Sequence, residues 1–450
     1  MQLLKETVTM NMAESLNLAC LCSTLQADVL HQHLSDRTEQ GAGHLASSRP
    51  HLLSATPVFV GARDAAAIRA AVAALHRITA LPGYRDLALA QTPEIASLVF
   101  GPQGAFMGYD FHLSADGPRL IEINTNAGGA LIHAAAASAH RACCSPPDWF
   151  GVPPDPAAFE RTVLAMFQDE WRAQRGDRPL RTVAIVDDDP AGQYLAPEFE
   201  MAQRLFVAHG IDAVVADPGE LAWRDGRLWH PRLPAGMPVD LVYNRLTDFY
   251  FEQPAHAGLR AAYQAGAAVV TPHPRAHALH ADKRNLVILS DDARLAAWGA
   301  APQDRAVVRA VVPRTEAVTA AGAERLWAQR RQLFFKPAAG FGSRGAYRGD
   351  KLTRRVWSDI VAGGYVAQAL VPPSERAVDV GGQAVRLKVD IRAYAYRGQV
   401  QLLAARTWIG QTTNFRTAGG GFSPVVVLPA PPRPDRHCCA PEPAREEATA

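Results

Sequence analysis

Apolar residues recur along the chain at two spacings, and these spacings predict its helices and strands. The run AAAIRAAVAAL (65–75) has the spacing of an amphipathic helix and consists of good helix formers. YDFHL and LIEIN alternate apolar and polar residues on either side of an Asp-Gly turn, which predicts a β-hairpin. After Ala130 we expect an alanine-rich helix that runs towards Cys144.

Strands and helices alternate in the middle of the chain. The runs that predict them are TVAIVDDD, EFEMAQRLFVAHG, IDAVVADP, WRDGRLWH and VDLVYNRL. Strands separated by helical stretches predict an α/β lobe with a mostly parallel, doubly wound sheet at 181–280.

The last third of the chain has a more mixed pattern. ADKRNLVILSDD (281–292) opens a helix, and RQLFFKP and YVAQALVPP predict strands with the helix WSDIVAGG between them. LKVDIRAYAYRG and QVQLLAARTWIG predict a hairpin around Arg397-Gly398.

These patterns divide the chain into units without internal repeats. We expect a helical, polar lead-in (1–50), a first α/β part (51–150) and the inserted lobe (181–280). A second α/β part (281–428) and a disordered tail (429–450) follow. A proline-rich boundary, SPPDWFGVPPDP (145–156), ends the first part.

The composition is that of an ordinary globular chain of 450 residues, with 48% hydrophobic and 20% charged residues and a mean hydropathy of −0.08. It excludes disorder over most of the chain. Forty-six basic and 44 acidic residues leave a formal charge of +2, which does not favour nucleic acid or a membrane surface as the main partner. No stretch reaches the roughly 18 uninterrupted apolar residues of a membrane helix.

The N-terminal segment carries charge within its apolar part and lacks the basic start of a secretion signal, so we expect a cytoplasmic protein. Six cysteines occur as three close pairs, which favours free thiols or packing over a disulfide framework. The chain lacks the C-x-x-C and histidine spacing of a zinc site, although His437 beside the last pair leaves adventitious metal binding open.

Three glycines in GFGSRG, Gly340, Gly342 and Gly345, have G-x-G-x-x-G spacing. AYRGDKLT follows and indicates a returning strand, whereas a dinucleotide-binding fold requires a helix there. A glycine loop between two strands is typical of a flap over phosphates, since glycine lets backbone amides approach oxyanions. Lys336, at the end of the preceding strand, adds a positive charge. An ordinary glycine-rich hairpin is the alternative.

Glu122 and Asn124 lie two residues apart on a predicted strand and therefore point to one face. Two oxygen donors on one face suit a hard cation such as Mg²⁺. Asp110 lies on the partner strand and would face them in the right register, and TNAGG directly afterwards resembles the rim of a site. A polar, solvent-facing strand edge is the alternative.

A third group of polar residues lies near the end of the chain. It consists of Asp390 and Arg392 on one strand face, Arg406 on the following strand, and Asn414, Arg416, Gly419, Gly420 and Gly421 in a loop, TAGGGFSP included. Arginines and glycine amides near a magnesium site would stabilise negative charge on a transferring phosphate or a tetrahedral intermediate. A salt-bridged hairpin with a flexible loop is the alternative.

In their order, these segments resemble the ATP-grasp superfamily. Its members usually have a D-K helix start, a K-P strand with a glycine loop, a hinge strand, a D-x-R hairpin and a final E-x-N strand. Here Asp282-Lys283, Lys336-Pro337, YVAQALV and DIR follow in that order, but the E-x-N hairpin comes first, at 108–129. This order resembles the circular permutation of eukaryotic-type glutathione synthetases over roughly 100–425. The implied fold is α/β (α+β), an ATP-grasp fold in permuted order with an inserted doubly wound substrate lobe.

The resemblance implies roles for individual residues. Nucleotide binding falls to Lys283, Lys336, Gly340, Gly342, Ser343, Gly345, Gln368, Ala369 and Val371. Asp110, Glu122 and Asn124 would hold the metal, and Lys336, Arg406 and Asn414 would take part in catalysis. The substrate would contact Asn126, Arg245, Arg392, Arg416, Gly419 and Gly420. A buried salt bridge within the lobe is the alternative for Arg245.

Two positions depart from the family pattern. Gln368 stands where many members have Glu, and TAGGGFSP is not the alanine- and valine-rich glycine loop of the eukaryotic enzymes.

The implied activity is an ATP- and Mg²⁺-dependent carboxylate–amine ligase that forms an amide through an acyl phosphate and releases ADP and phosphate. The expected partners are small-molecule carboxylate and amine substrates, without nucleic acid or membrane. A small-molecule kinase of the same fold and a non-catalytic nucleotide-binding regulator are the alternatives. The oligomeric state stays open, with a homodimer as one option.

Overall fold

The computed structural model describes residues 11–20, 31–32, 34–38, 47–143, 155–340 and 345–429. Most of the predicted lead-in, nearly all of the proline-rich boundary and the tail beyond Pro429 lie outside these ranges. No helix in the described part of the chain is both long and apolar enough to cross a membrane.

The strands of the described ranges are named in chain order. They are β1 (Val58–Gly61), β2 (Met107–Ser114), β3 (Gly117–Asn124), β4 (Thr182–Val186), β5 (Asp212–Ala216), β6 (Ala222–Arg224), β7 (Arg227–Trp229), β8 (Leu241–Asn244), β9 (Val269–Thr271), β10 (Thr315–Ala317), β11 (Leu333–Pro337), β12 (Tyr347–Arg348), β13 (Tyr365–Ala369), β14 (Ser374–Val380), β15 (Gln383–Tyr396), β16 (Gln399–Trp408) and β17 (Gly421–Leu428).

Helices of six or more residues are named in the same way. They are α1 (Met12–Ala19), α2 (Ala62–Thr79), α3 (Pro82–Leu89), α4 (Ala130–Cys143), α5 (Pro156–Arg175), α6 (Ala196–Ala208), α7 (Ala257–Gln264), α8 (Arg284–Leu289), α9 (Asp292–Ala297), α10 (Pro302–Val311), α11 (Ala323–Gln329) and α12 (Arg354–Ala362). The predicted helices at 65–75 and after Ala130 are confirmed as α2 and α4.

The largest sheet has seven strands and joins the first and last parts of the chain. Its order is β1-β17-β16-β15-β2-β3, and β14 pairs with the first half of β15. β1 runs parallel to β17, and the other neighbours are antiparallel. The predicted hairpins β2–β3 and β15–β16 are confirmed, and the second turns at Arg397 and Gly398, both with positive φ.

Helices cover both faces of the seven-stranded sheet. On β15, Ile391 and Ala393 belong to a hydrophobic core shared with α2 and α10. Tyr394 points the other way, because successive strand residues alternate, and packs into a core shared with α4 and α5. Arg392 shares the face of Tyr394, so the polar side chains of this sheet lie beside the second core.

The prediction that TAGGGFSP is a loop is wrong from Gly421 onward. Gly421–Leu428 form β17, which lies between β16 and β1 and pairs with both. The apolar run that ends this segment gains a parallel partner, β1, from some 370 residues earlier, with Val58 opposite Val425. No local pattern could reveal that partner, since parallel strands meet only through a long crossover.

The N-terminal helix α1 closes the free edge of this sheet. The side-chain amide of Asn17 donates to the carbonyl of Phe59 on β1 at 2.8 Å and accepts from its N–H at 2.9 Å. Arg376, fully buried on β14, donates to carbonyls of α1 and of Pro57. These contacts satisfy backbone groups that an open sheet edge would expose.

A smaller antiparallel sheet, in the order β10-β13-β11-β12, lies over one end of the large one. Its core is built on Phe335, Trp357 and Ile360, which pack β11 against α12. The predicted strands at 331–337 and after Gly364, and the helix between them, are confirmed. Lys336 leaves β11 on the side that faces β3 of the large sheet.

The middle of the chain forms a four-stranded parallel sheet in the order β5-β4-β8-β9. Alternate residues of β4 enter two cores: Val183 and Ile185 pack with α5 and α6, whereas Ala184 and Val186 pack with α7 and the β6–β7 hairpin. The sheet is therefore covered on both faces, as a doubly wound lobe requires.

Candidate active site

A cavity of about 630 Å³ lies between the large sheet and the smaller antiparallel sheet. Its walls come from β2, β3, β15 and β16 on one side and from β11 and β13 on the other, joined by the start of α8 and by the loop after β16. Seven basic and four acidic side chains line it. An excess of positive charge in a concave, partly enclosed site suits an anionic ligand.

Charged residues form a row across three neighbouring strands of the large sheet. Glu122 on β3 lies opposite Asp110 on β2, which lies opposite Arg392 on β15. The next level pairs Asp390 on β15 with Arg406 on β16. Because cross-strand partners lie on the same face, this register brings all five side chains together.

Asp110 contacts both arginines of this group. Its carboxylate accepts two hydrogen bonds from Arg392, at 2.6 and 2.7 Å, and one from Arg406 at 2.8 Å. Burial by itself would raise the pKa of Asp110, but the two guanidinium groups outweigh burial and lower this pKa to about 2. Asp110 therefore carries a negative charge that fixes both arginines.

Arg406 is held in one orientation by two carboxylates. Its Nε and Nη2 donate to Asp390 at 2.8 Å each, and Nη2 also donates to Asp110. Thr413 donates to the same Asp390 at 2.9 Å. Nη1 of Arg406 has no hydrogen-bond partner among the described residues, so a fixed guanidinium edge is left for a ligand in the cavity.

Glu122 and Asn124 share the face that the sequence predicts. The amide nitrogen of Asn124 donates to Asp110 at 3.2 Å and to Glu122 at 3.3 Å, so its amide oxygen faces away from both carboxylates. Lys283 Nζ lies 4.0 Å from Glu122. Burial would raise the pKa of Glu122, but nearby cations, Lys283 first among them, leave it below its ordinary value.

Lys283 reaches the cavity from the start of α8. Its neighbour Asp282 accepts from the backbone N–H of Arg284 at 2.9 Å and also binds the Arg284 side chain, which fixes the first turn of the helix. The backbone N–H of Lys283 donates to Ala338 at 3.1 Å, and its ammonium donates to Gly340 at 2.7 Å. Lys283 thus ties the helix to the loop that follows β11.

Lys336 is buried, with 4% of its surface exposed, and bridges the two sheets. Its ammonium donates to the carbonyl of Ile121 at 2.6 Å and to Oε1 of Gln368 at 2.8 Å. Ile121 is the extra residue of a bulge between β2 and β3, where the pairing passes from Glu122 to Leu120. Burial lowers the pKa of Lys336 to about 8; Lys283 adds to this lowering and Glu122 opposes it.

Gln368 presents a hydrogen-bond donor to the cavity. An ammonium only donates, so Lys336 fixes the amide oxygen towards itself and leaves Nε2 on the opposite side. Gln368 is 2% exposed, and its Nε2 is buried without a hydrogen-bond partner. An unpaired buried donor is costly, which indicates that a ligand atom accepts a hydrogen bond from Nε2.

His112 binds the end of the hinge strand β13. Its Nδ1 lies 2.7 Å from the carbonyl of Val371, and it lines the cavity together with Ala369 and Val371. A carbonyl only accepts, so Nδ1 carries a proton, and burial lowers the pKa of His112 so that the ring is neutral. Its Nε2 is therefore a hydrogen-bond acceptor.

The structure places the predicted glycines unevenly. Gly340 lines the cavity and accepts the Lys283 hydrogen bond, and Gly345 follows with a positive φ of 67°. Gly342 and Ser343 lie outside the described residues.

Arg245 and Asn126 lie together, but apart from the cavity. Arg245 follows β8 and is buried; its Nη1 donates to the carbonyl of Asn126 at 2.9 Å and to the Tyr243 hydroxyl at 3.3 Å. The Asn126 side chain donates to the carbonyls of Arg245 and Leu246. Nε of Arg245 is buried without a partner. The two residues join the E-x-N loop to the carboxyl edge of the parallel sheet.

Four predicted residues of the last loop do not line the cavity. The amide of Asn414 is used within its own loop, donating to Ile409 at 2.8 Å and accepting from Arg416 N at 3.0 Å and Thr417 Oγ1 at 3.1 Å. The side chain of Arg416 is exposed. Gly419 accepts from Ser54 at 2.9 Å, and Gly420 belongs to the turn before β17. Arg392, at the β15 end of the row, donates to Asp110 and does not line the cavity.

Several residues that line the cavity were not predicted from the sequence, among them His112, Lys351, Lys388 and Trp408. For His112 a signal existed, because it stands two residues after Asp110 and therefore shares its strand face. For the lysines the signal is composition. The chain has 5 lysines against 41 arginines, and Lys283, Lys336, Lys351 and Lys388 all line this cavity.

The donor set suits a magnesium ion bound together with phosphates. Within the described ranges no group of three or more His, Cys, Asp or Glu side chains could hold a metal by itself. Mg²⁺ usually takes one or two carboxylates, with water and phosphate oxygens completing its shell. Glu122 and the free amide oxygen of Asn124 fit that requirement, whereas both oxygens of Asp110 already bind arginines.

Neither a protein-family model nor a curated protein sequence matches the chain. Solved structures do resemble it. A glutathione synthetase-like effector from Globodera pallida, in its apo form, aligns with a TM-score of 0.54 at 11% identity over 91% of this chain and 100% of that chain. The chain therefore has an ATP-grasp-like fold of the glutathione synthetase type.

Two further solved structures align more weakly. A candidate gamma-glutamylcysteine synthetase from Methylobacillus flagellatus gives a TM-score of 0.44 at 10% identity, over 80% of this chain and 87% of that one. The ATP-grasp ligase PsnB in complex with a minimal precursor gives 0.29 at 14% identity, over 56% of this chain and 90% of that one.

Proposed function

We propose that the protein is an ATP-dependent ligase that joins a small-molecule carboxylate to an amine. The observation that carries this proposal is the set of lysines in one cavity. The chain otherwise uses arginine for its positive charge, yet four of its five lysines line this site, and the fifth, Lys5, lies outside the described residues. Compact ammonium groups suit the phosphates of a nucleotide, and the fold supports the same reading.

In this proposal the nucleotide lies between the two sheets. Lys283 and Lys336 bind its phosphates, with Gly340 and Gly345 at the ends of the glycine loop. The base lies against the hinge, beside Ala369 and Val371. Gln368 Nε2 donates to a base acceptor and His112 Nε2 accepts from a base donor, which suits adenine because its N7 and amino group lie side by side.

A bound Mg²⁺ would be held by Glu122 and Asn124 and would neutralise phosphate charge during transfer. Asp110 has a different role in this proposal: it positions Arg406. This reading revises the sequence-based assignment of Asp110 to the metal, because its carboxylate is already engaged by two guanidinium groups.

The chemistry would proceed in two steps. A substrate carboxylate attacks the γ-phosphorus of ATP, so an acyl phosphate forms and ADP leaves. The amine then attacks the acyl carbon, which forms the amide bond, releases phosphate and gives up a proton. Arg406, fixed by Asp110 and Asp390, would stabilise the charge on the acyl phosphate and on the tetrahedral intermediate. Asn126 and Arg245, which lie apart from the cavity, join the E-x-N loop to the parallel lobe rather than contact the reacting carboxylate, and Asn414, Arg416, Gly419 and Gly420 shape the last loop.

The test is a screen of amino acids and short peptides for ADP and phosphate release, with products identified by mass spectrometry. A ligase yields an amide product and releases phosphate in equal amount when both substrates are present. A stable phosphorylated product without free phosphate would indicate a kinase instead, and nucleotide binding without any turnover would indicate a regulator. Lys336→Met provides the inactive control, since it removes the buried ammonium and keeps an apolar side chain of similar length.

A further inference from the structure

A second cavity, of about 660 Å³, lies at the opposite edge of the parallel lobe. It is formed where β4, β8 and β9 begin, whereas Arg245 and Asn126 lie where β8 ends. Its walls combine the end of α5, the loop that enters β4, the start of β7 and the turn before β9. This second cavity is therefore separate from the lysine-lined cavity.

Four arginines from two separate segments converge on this cavity, against a single acid. Arg175 ends α5, Arg178 and Arg181 lie in the connection from α5 to β4, and Arg227 comes from β7. Asp240 is the acid, and its Oδ2 already accepts the backbone N–H groups of Arg181 at 3.0 Å and Thr182 at 3.3 Å. An excess of positive charge in a concave site favours an anionic ligand.

The cavity wall is firmly built around these arginines. Arg175 Nη2 donates to the carbonyls of Gly266 at 2.7 Å and Ala267 at 2.6 Å, so its guanidinium is fixed in the wall. The indole N–H of Trp171 donates to the carbonyl of Arg178 at 2.5 Å, and Arg181 accepts from Asp212 N at 2.9 Å. The backbone that carries the arginines is thus positioned in advance.

The side chains themselves remain available to a ligand. Arg178, Arg181 and Arg227 are exposed, and none of them forms an ion pair with another residue of the described ranges. Burial, followed by the nearby Arg178, lowers the pKa of Arg175 below its ordinary value. Guanidinium forks bind phosphate and carboxylate groups through paired hydrogen bonds.

We propose that this arginine cavity binds a small polyanion that carries two or more phosphate or carboxylate groups. A volume of about 660 Å³ falls within the usual range for small-molecule sites, and Trp171, Met237 and Pro238 supply apolar surface for the rest of such a ligand. The proposal does not depend on the activity proposed for the lysine-lined cavity, since the two sites share no residue.

The test uses the whole 450-residue chain and two probes at constant ionic strength, inorganic pyrophosphate and citrate. Calorimetry measures affinity, and hydrogen exchange locates the bound probe. The measurements are made in Lys336→Met, which we expect to weaken anion binding in the other cavity. We expect protection of the segments 176–182 and 265–268. Arg178→Gln with Arg181→Gln should weaken binding by about tenfold or more. Both residues are exposed, so this variant should stay folded.

Arg69→Gln is the matched control, because it removes an exposed arginine on α2, far from this cavity in sequence and not part of its wall. It should leave affinity unchanged. Stronger binding of pyrophosphate would assign the site to phosphates, and stronger binding of citrate would assign it to carboxylates. The proposal would be overturned if Lys336→Met binds the probes with equal affinity with and without the two arginine substitutions, or if protection appears only outside these segments. Failure of the proposed ligase activity would appear as absent turnover and would leave these readouts unaffected.

Discussion

Asp110 and Arg392 form a bidentate pair at 2.6 and 2.7 Å, although 282 residues separate them along the chain. The pair joins the β2–β3 hairpin to β15 in the centre of the large sheet, and both side chains are buried. It also fixes Arg406 through the shared carboxylate. The geometry of the candidate active site therefore depends on the same contact that joins distant parts of the fold.

We expect Asp110→Asn to lower the free energy of unfolding by roughly 3–5 kcal/mol, because it leaves two buried guanidinium groups with one carboxylate fewer. Urea denaturation measures the effect. Glu375→Gln is the control: it breaks the exposed pair with Arg386, 3.2 Å long, and should cost about 1 kcal/mol or less. Equal effects of the two variants would contradict the role given to Asp110.

The same contact predicts that the free energy of unfolding falls in acid. The pKa of Asp110 is about 2 in the folded protein and 3.8 ordinarily, so the unfolded chain binds the extra proton first as the pH falls. Stability from this group is complete above about pH 4 and is lost as the pH falls towards 2. In Asp110→Asn this part of the acid dependence should be absent.

Lys336 should make nucleotide affinity dependent on pH. With a pKa of about 8 in the free protein, its ammonium loses its proton as the pH rises through that value, and attraction for phosphate falls. We expect a nonhydrolysable ATP analogue to bind more weakly at pH 9 than at pH 7. Lys336→Arg keeps its charge over this range and should remove the dependence. A pH profile identical in wild type and Lys336→Arg would exclude Lys336 as its source.

The stability of the ligand-free protein should depend on pH in the opposite direction to nucleotide affinity. The folded state releases the Lys336 proton at about pH 8 and the unfolded state at its ordinary 10.5, so between these values the unfolded chain binds more protons. Stability contributed by this group therefore rises with pH across that window.

Gln368→Glu should raise the pKa of Lys336, because a carboxylate replaces the amide oxygen that accepts from its ammonium at 2.8 Å. The pH midpoint of nucleotide affinity is then expected to move upward by about one unit or more. The variant also loses the Nε2 donor, so affinity at pH 7 should fall as well. Gln368→Met separates the two effects, since it loses the donor without adding a charge. An unchanged midpoint in Gln368→Glu would contradict the contact.

Glu122→Gln should reduce turnover on the order of 10²-fold while the protein stays folded, because it removes a charge at the proposed metal position and keeps the shape. Activity is measured across a range of Mg²⁺ concentrations, where the variant should need more metal. Glu375→Gln changes another acid at the cavity and should keep its metal dependence. The same dependence in Glu122→Gln as in wild type would remove Glu122 from the metal site.

Arg406→Ala should lower kcat and kcat/KM together, by about 10²-fold, with little change in nucleotide affinity, because its guanidinium is needed mainly as the transition state forms. Arg406→Lys should recover little, since an ammonium cannot reproduce the two-pronged contact or bridge Asp110 and Asp390. Calorimetry measures nucleotide affinity separately.

Arg416→Ala provides the control for this series. Arg416 is exposed and does not line the cavity, so its removal should leave kcat unchanged. A large loss of nucleotide affinity with kcat intact in Arg406→Ala would make Arg406 a nucleotide-binding residue instead.

The sequence by itself determined the local elements and the strand faces. Alternation on both sides of an Asp-Gly turn predicts β2–β3, and the spacing of Glu122 and Asn124 places both on one face, because side-chain direction in a strand depends only on spacing. Helices such as α2 and α4 follow from their own periodicity in the same way.

Only the tertiary structure decided which partner each polar side chain takes. Asp110 binds two arginines because the register of β2 against β15 places them there, and Lys336 meets Ile121 because a bulge turns that carbonyl towards it. Asn414 turns into its own loop, and β17 finds β1 at the other end of the chain. A side chain with several candidate partners takes the one that strand register and loop geometry bring within about 3 Å, and those depend on contacts between segments that are distant in sequence.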